Sequence, residues 1–230
     1  MIVKSISHFS NLIAWIATRR IPDTKLVWWL QQSNYTENIQ ASVASQISRR
    51  ISGSVPLMIN NSKAGLDYHK HIGFRCKNQI AINFGIDTQH FCPDLESRER
   101  IRISWGIGKH EKLIGIVSRI NTVKGHPIFL EAAAALSEKN NNLRFVIVGG
   151  GNKQYVYKLH QLSNKLNLQT KLIWAGEYAD TAPIYNAVDV LVSSSYSEGF
   201  SATIGEAMSC GVPCVVTDVG DSSQIVGDMG

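Results

Sequence analysis

Cysteine is scarce in this chain and follows no metal-binding or disulfide spacing. The four in 230 residues, Cys76, Cys92, Cys210 and Cys214, contain no C-x-x-C pair, so neither a zinc site nor a disulfide framework is expected, and they read as small buried side chains. Long apolar runs are missing as well. Stretches such as Leu12 to Ala17 fall far short of the roughly 18 consecutive apolar residues that a membrane span needs, so no transmembrane helix is expected. Ser5, Ser7, His8, Ser10 and Asn11 interrupt the apolar region a secretory signal would require, which makes the cytoplasm the expected location. Acidic residues are fewer than basic ones, 18 against 23, and the deficit is uneven: residues 1–110 hold 14 Lys/Arg against 7 Asp/Glu, residues 111–230 hold 9 against 11. A basic half suits nucleic acid, anionic lipid or phosphorylated substrates, or is simply a solvated surface. No zinc-finger or RNP-type motif favours nucleic acid.

The familiar nucleotide fingerprints are absent too. Gly149-Gly150-Gly151 fails the G-x-G-x-x-G test because Gln154 stands where the third glycine belongs, and no acidic residue ends a strand about 20 residues on. Lys124-Gly125 lacks the Gly-Lys-Ser/Thr order of a phosphate-binding P-loop. An NAD-binding or nucleotide-hydrolysing protein is therefore the weaker reading.

What is present is an alternation of strand-like and helix-like stretches in a globular composition, 44% apolar and 18% charged, enough for one large or two small domains. In the first half, strands are expected at residues 25–30, 55–59 and 79–84, with helices at 12–19, 36–51 and 62–71. Ile39, Val43, Ile47 and Ile51 recur by four, so the second helix is predicted to cover a sheet with that face, and Ser62 is the expected N-cap of the third. A helix at 94–104 follows, then strands at 113–118, 144–148, 171–175, 189–192 and 213–217 with a helix over 153–166 facing inward through Tyr155, Leu159, Leu162 and Leu166. Such βα alternation implies doubly wound parallel sheets.

The chemistry concentrates between Ser193 and Asp221. Glu198 and Glu206 stand in the loop and helix between two apolar strands, with Gly199, Phe200 and Ser201 between them. Ligands of open α/β sheets bind outside the carboxyl ends of strands. There the backbone N–H groups of Gly199 to Ser201, at a helix N-terminus, favour an anion or a sugar oxygen. Carboxylates accept hydrogen bonds only and suit hydroxyl-rich partners such as a ribose or a hexose. Thr203 to Glu206 also fits a capping box, in which Glu206 serves its own helix start. Upstream, Arg119 at a strand end and Lys124 at a helix start form a suitable cradle for a diphosphate.

Glu198-Gly-Phe-Ser-Ala-Thr-Ile-Gly-Glu206 followed by Gly211-Val-Pro213 resembles the E-x7-E and G-x-P signature of retaining GT-B glycosyltransferases of family 4. Arg119-x4-Lys124-Gly125 resembles the family's R-x4-K-G motif, and Gly85-Ile86-Asp87 with Phe91-Cys92-Pro93 resembles its P-N-G-I-D and F-x-P boundary, where Asn83 and Phe84 replace the Pro and Asn. The resemblance implies the GT-B fold: two Rossmann-like domains with parallel sheets, the first incomplete at its N-terminus and the second at its C-terminus. Residues 1–88 would be the acceptor-side domain, 89–110 an interdomain segment and 111–230 the nucleotide-sugar domain, the chain being an internal fragment of a longer protein. It further implies sugar transfer from a nucleoside diphosphate sugar to a glycan or lipid-linked saccharide. Arg119 and Lys124 would stabilise the diphosphate, Glu206 would hold the ribose, and Glu198 with the Gly199 to Ser201 backbone would hold the sugar. No metal or other cofactor is implied. His8 is a candidate acceptor-side contact, against a structural reading, and Gln32 lies near the strand end where family members often place a His. Peripheral contact with the inner membrane surface, and no nucleic-acid partner, complete the expectation. The alternative is a non-catalytic nucleotide-binding fragment.

Overall fold

The structure is a computed structural model that describes residues 1–31 and 39–229, and all their side chains except those of residues 39–42 and 229. The chain divides into two compact units. The first comprises Met1–Gly85 with Ser197–Phe200 and Val219–Asp221, the second Ile86–Tyr196 with Ser201–Asp218 and Ser222–Gly230.

The first unit runs β1 (Ile2–Ile6), α1 (His8–Thr18), β2 (Lys25–Leu30), α2 (Ile39–Ile51), β3 (Leu57–Asn60), α3 (Lys63–His71) and β4 (Asn78–Ala81). Its four strands are parallel in the order β1-β2-β3-β4. Period-two alternation sends Leu26, Trp28 and Leu30 to one face, where they are buried with Met58, Leu66 and Phe74. On the opposite face the register aligns Ile6, Trp29, Ile59 and Ile80. There Ile6 and Ile80 stay 45% and 41% exposed, and the Lys4 ammonium sits 3.7 Å from the centroid of the Trp29 ring.

Two helices differ from the sequence expectation. Helix α1 begins at His8, ahead of the expected Leu12, because the Asn11 N–H reaches the Ser7 carbonyl at 2.9 Å and Ser5 donates its hydroxyl to Asn11 Oδ1 at 2.6 Å inside the fold. Polar residues that read locally as a break are satisfied by a strand. The outward side of the helix carries Phe9, Ile13 and Ile16, each more than half exposed. Helix α2 does not bury Val43, which is 50% exposed. It packs against α1, burying the small Ala44 and Ser48, with the Ser48 hydroxyl donating to the His8 carbonyl at 3.3 Å. Small side chains let two helices approach closely, and that approach outweighs the four-residue apolar spacing. Residues 36–38 of that expected helix lie outside the described residues. Ser62 caps α3 as expected, accepting the Gly65 N–H at 2.9 Å.

The second unit contains α4 (Leu95–Ser104), β5 (Lys112–Val117), α5 (His126–Lys139), β6 (Leu143–Val148), α6 (Lys153–Lys165), β7 (Leu172–Gly176), α7 (Ala182–Ala187), β8 (Val190–Ser193), α8 (Ala202–Ser209), β9 (Cys214–Val216) and α9 (Ser222–Val226). Every strand expected here is present, its ends moved by at most one residue. The sheet is parallel in the order β7-β6-β5-β8-β9. Its central strands read as near-continuous apolar runs because both faces are covered. Ile116, Phe145 and Ile147 pack with Phe129, Leu130 and Leu159 on one side. Leu113, Val117, Val146 and Val148 pack with Ile184, Tyr185 and Ile204 on the other. Gly149 to Gly151 serve this close packing: a Cβ on Gly149, whose φ is 134°, would lie 1.9 Å from the Ser118 carbonyl oxygen, and the Ile120 N–H donates to the Gly150 carbonyl at 2.7 Å.

At the amino ends of β5 and β8 a single carboxylate joins three elements. Asp189 accepts from Arg98 at 2.7 Å, from Arg102 at 3.0 Å and from the Leu113 N–H at 2.7 Å, while Arg98 also donates to the carbonyls of Asn186, Ala187 and Val188. Burial alone would raise the Asp189 pKa, but the Leu113 N–H and the two guanidinium groups outweigh it and hold the carboxyl below its ordinary value. Asp189→Asn strands Arg102, which is 9% exposed, and should cost about 3 kcal/mol in urea unfolding, the lower end for breaking a buried pair from one side. A loss like that of a surface pair, under about 0.5 kcal/mol, would mean that the three elements do not depend on this carboxylate.

Acid should weaken the protein in two stages. Burial drives the imidazoles of His8, His69 and His126 down to about 4, with the charge of His69 adding to the effect at His8. Their neutral forms favour the folded state, so that stability is fully present above the ordinary histidine value near 6.5 and is lost as pH falls toward 4. Unfolding near pH 5 should therefore take up about two to three protons, measured as the pH slope of the unfolding free energy. His69→Phe should flatten that slope, and an unchanged slope would remove these imidazoles as its cause. The Asp189 contribution, from a depressed carboxylate, is lost only below about pH 4.

Candidate functional site

The strand order of the second sheet reverses direction between β5 and β8, and a doubly wound sheet binds ligands at such a reversal, outside the carboxyl ends of the strands. The loops leaving these two strands are locked together. Asn121 opens a 3-10 turn over Thr122–Lys124, its side chain accepting the Lys124 N–H at 3.2 Å. Gly125 then adopts φ 63°, and a Cβ there would lie 1.9 Å from the Ser194 carbonyl oxygen, so both the conformation and the contact require glycine. Ser194 donates its hydroxyl to the Gly125 carbonyl at 3.0 Å, and the Tyr196 N–H donates to the Val123 carbonyl at 2.8 Å. A small cavity at this junction is lined by Ser118, Lys124, Ser193, Ser195 and Thr203 among others. Lys124 and the first turn of α8 thus meet where the sheet order reverses. Arg119 lies in the same loop as Lys124, exposed, just past the end of β5.

Glu206 is on α8, which starts at Ala202 with Ser201 at the N-cap position. Thr203 is consequently inside the first turn, and the capping-box alternative does not form. The Ser201 and Thr203 hydroxyls are 3.0 Å apart, and Glu206 Oε2 instead accepts the Tyr185 hydroxyl at 2.6 Å. Tyr185 is completely buried. Burial, then the adjacent carboxylate, pushes its hydroxyl well above the usual tyrosine range, so it remains a donor at any pH the protein tolerates. His126, at the start of α5, is also completely buried, its Nε2 3.4 Å from the Ser118 hydroxyl. Sequence reasoning passed over Tyr185, because a tyrosine on a short helix carries no local sign of which carboxylate it meets.

Glu198, Gly199 and Phe200 group with the first unit. The Phe200 ring lies 6.3 Å from Phe84, itself 6.4 Å from Trp29. In the same unit Asp221 accepts the Lys63 and Ala64 N–H groups at 2.7 and 2.8 Å and donates its own N–H to the Gly199 carbonyl at 3.0 Å. The unpaired helical donors at the start of α3 are therefore already satisfied by a carboxylate from residue 221 and by Ser62. His8 is 8% exposed, its ring 5.5 Å from His69 and 5.7 Å from Phe74, a position within the packed interior of this unit. Gln32 lies outside the described residues. Cys76, Cys210 and Cys214 are buried free thiols, and Cys92 is partly exposed.

Residues 97–230 match the family model for glycosyl transferases group 1. The lipopolysaccharide core biosynthesis mannosyltransferase LpsB of Rhizobium meliloti is 30% identical over 148 residues, which is 63% of this chain and 42% of that protein. A D-inositol 3-phosphate glycosyltransferase of Corynebacterium aurimucosum is 28% identical over 179 residues, 75% of this chain and 42% of that protein. The chain thus spans less than half the length of these relatives. Among solved structures, Anabaena HepE in complex with UDP superposes with a TM-score of 0.88 at 23% identity, over 98% of this chain and 62% of that one. That likeness carries the fold: α/β, with two parallel Rossmann-like sheets of the GT-B type. Since the family match covers more than half of the chain, and on the part that holds the locked β5 and β8 loops, the chain belongs to the glycosyl transferases group 1 family.

Proposed function

We propose that the chain forms part of a retaining, family-4 type glycosyltransferase that moves a sugar, most simply a hexose, from a nucleoside diphosphate sugar to a glycan or lipid-linked saccharide. The observation that carries this reading is the meeting of Lys124 with the first turn of α8 at the point where the second sheet's order reverses. In this reading Arg119 binds the diphosphate bidentately and Lys124 binds it as a point charge, so that together they offset the negative charge of the departing group. Glu206 accepts from the ribose hydroxyls. Glu198, with the backbone of Gly199 to Ser201, holds the transferred sugar. The two cations carry the charge compensation, so the reading assigns no step to a metal ion or other cofactor. HepE, a structural neighbour, is described in complex with UDP and with UDP-glucose, which supports a nucleotide-sugar donor here.

An acceptor on a lipid would place the chain at the cytoplasmic membrane face. The basic excess before residue 110 and the outward Phe9, Ile13 and Ile16 of α1 support such peripheral contact, and no helix among the described residues is long and apolar enough to cross a membrane. The second reading is nucleotide binding without turnover. Transfer or hydrolysis of a nucleotide sugar, measured against binding of the bare nucleotide, separates the two.

Lys124→Ala should weaken UDP or GDP binding by about 1.5 to 3 kcal/mol, the range for hydrogen bonds to charged groups, while circular dichroism stays unchanged. Unaltered affinity in a folded variant would overturn the diphosphate assignment. The two glutamates should separate in calorimetric titrations. Glu206→Gln should impair the bare nucleoside diphosphate, whereas Glu198→Gln should spare it and lose only the added affinity of the nucleotide sugar. Equal impairment of both variants toward the bare nucleotide would refute the division of roles.

A further inference from the structure

We propose that Tyr185 is a positioning residue for Glu206 and, through that carboxylate, determines how strongly the protein prefers a ribonucleotide over its deoxy analogues. The inference rests on the reading of Glu206 as the ribose acceptor. Its own support is geometric. Tyr185 lies on α7, which packs against α8, and its ring is held edge-on to Phe91 at 6.0 Å with an interplanar angle of 62°. Packed among Leu113, Ile184 and Ile204, the ring leaves the hydroxyl little freedom to move. A buried tyrosine hydroxyl needs a partner, and this one has the Glu206 carboxylate at 2.6 Å, the short range of a bond to an ionised acceptor.

The consequence follows from what each group can do. Glu206 is partly exposed, and on its own its side chain would sample several rotamers. A fixed donor on Oε2 selects one. A carboxylate has about four acceptor directions, and Tyr185 occupies one, leaving Oε1 and the remaining lone pair of Oε2 to meet a vicinal diol. A diol has two donors at a fixed spacing, so recognising both depends on orientation. A nucleotide with only one ribose hydroxyl needs that orientation less.

The test uses the full 230-residue chain and whichever of UDP and GDP binds it more tightly, together with the 2′-deoxy and 3′-deoxy forms of that nucleotide. Tyr185→Phe keeps the ring and its contacts. It should weaken binding of the ribonucleotide about tenfold while changing the deoxy forms less than about twofold, so that the ratio of their dissociation constants collapses toward one. In a Glu206→Ala background the same substitution should change neither, since its effect passes through that carboxylate. A merely structural tyrosine would lower the melting temperature or weaken all the nucleotides alike, and leave the ratio intact. An intact ratio in a folded Tyr185→Phe protein overturns the proposal. If Tyr185→Phe does not fold, 4-fluorophenylalanine at position 185 fills the hydroxyl's space without its donor, and an unchanged ratio there overturns the proposal equally. A wild-type chain that binds neither nucleotide, or fails to discriminate against the deoxy forms, would instead overturn the ribose reading of Glu206, and the proposal with it.

Discussion

The carbonyl oxygen of Ser194 occupies the space where a side chain on Gly125 would have to begin, and the local chemistry of the second unit depends on that contact. Because residue 125 has no Cβ and can hold a positive φ, the loop leaving β5 can press against the loop leaving β8. Two hydrogen bonds then fasten them, Ser194 to Gly125 and Tyr196 to Val123. Lys124 is carried to the cavity at the junction, and α8 starts beside it. The same economy of space recurs one strand away, where Gly149 admits the Ser118 carbonyl and holds the β5 loop from its other side.

The second unit holds buried polar groups in two separate networks. At the amino ends of the strands, Asp189 gathers Arg98, Arg102 and the Leu113 N–H, and this network ties α4 to the sheet without facing a cavity at the carboxyl ends. Between α7 and α8, Tyr185 reaches from the core to Glu206. Both networks satisfy buried groups, and the second leaves most of its carboxylate's acceptor capacity open. In a dry, well-packed surround such capacity would be a cost; on the partly exposed Glu206 it is what a ligand can use.

In the first unit the interior is more polar than its apolar strands suggest. Asn11, Ser48 and His69 are completely buried beneath α1, α2 and α3, and each is tied to a neighbouring element or to its own helix through Ser5, the His8 carbonyl or the Gly65 carbonyl.

The strands of the second unit, the parallel alternation and the two loops with their charged residues were legible in the residues, because β-branched runs, glycine punctuation and fixed motif spacing are local; β1 was not among the expected strands, and the run expected over 79–84 ends at Ala81. The Ser62 cap and the Asp94 helix start were legible for the same reason. Burial of Ala44 in place of Val43 was not, nor the early start of α1 at His8, because both depend on which surface each helix meets. Whether Glu206 would cap its own helix or serve another partner could not be read from Thr203 to Glu206, where both patterns coexist. That choice was made by Tyr185, 21 residues away in the chain and 2.6 Å away in space, and only tertiary packing could bring it there.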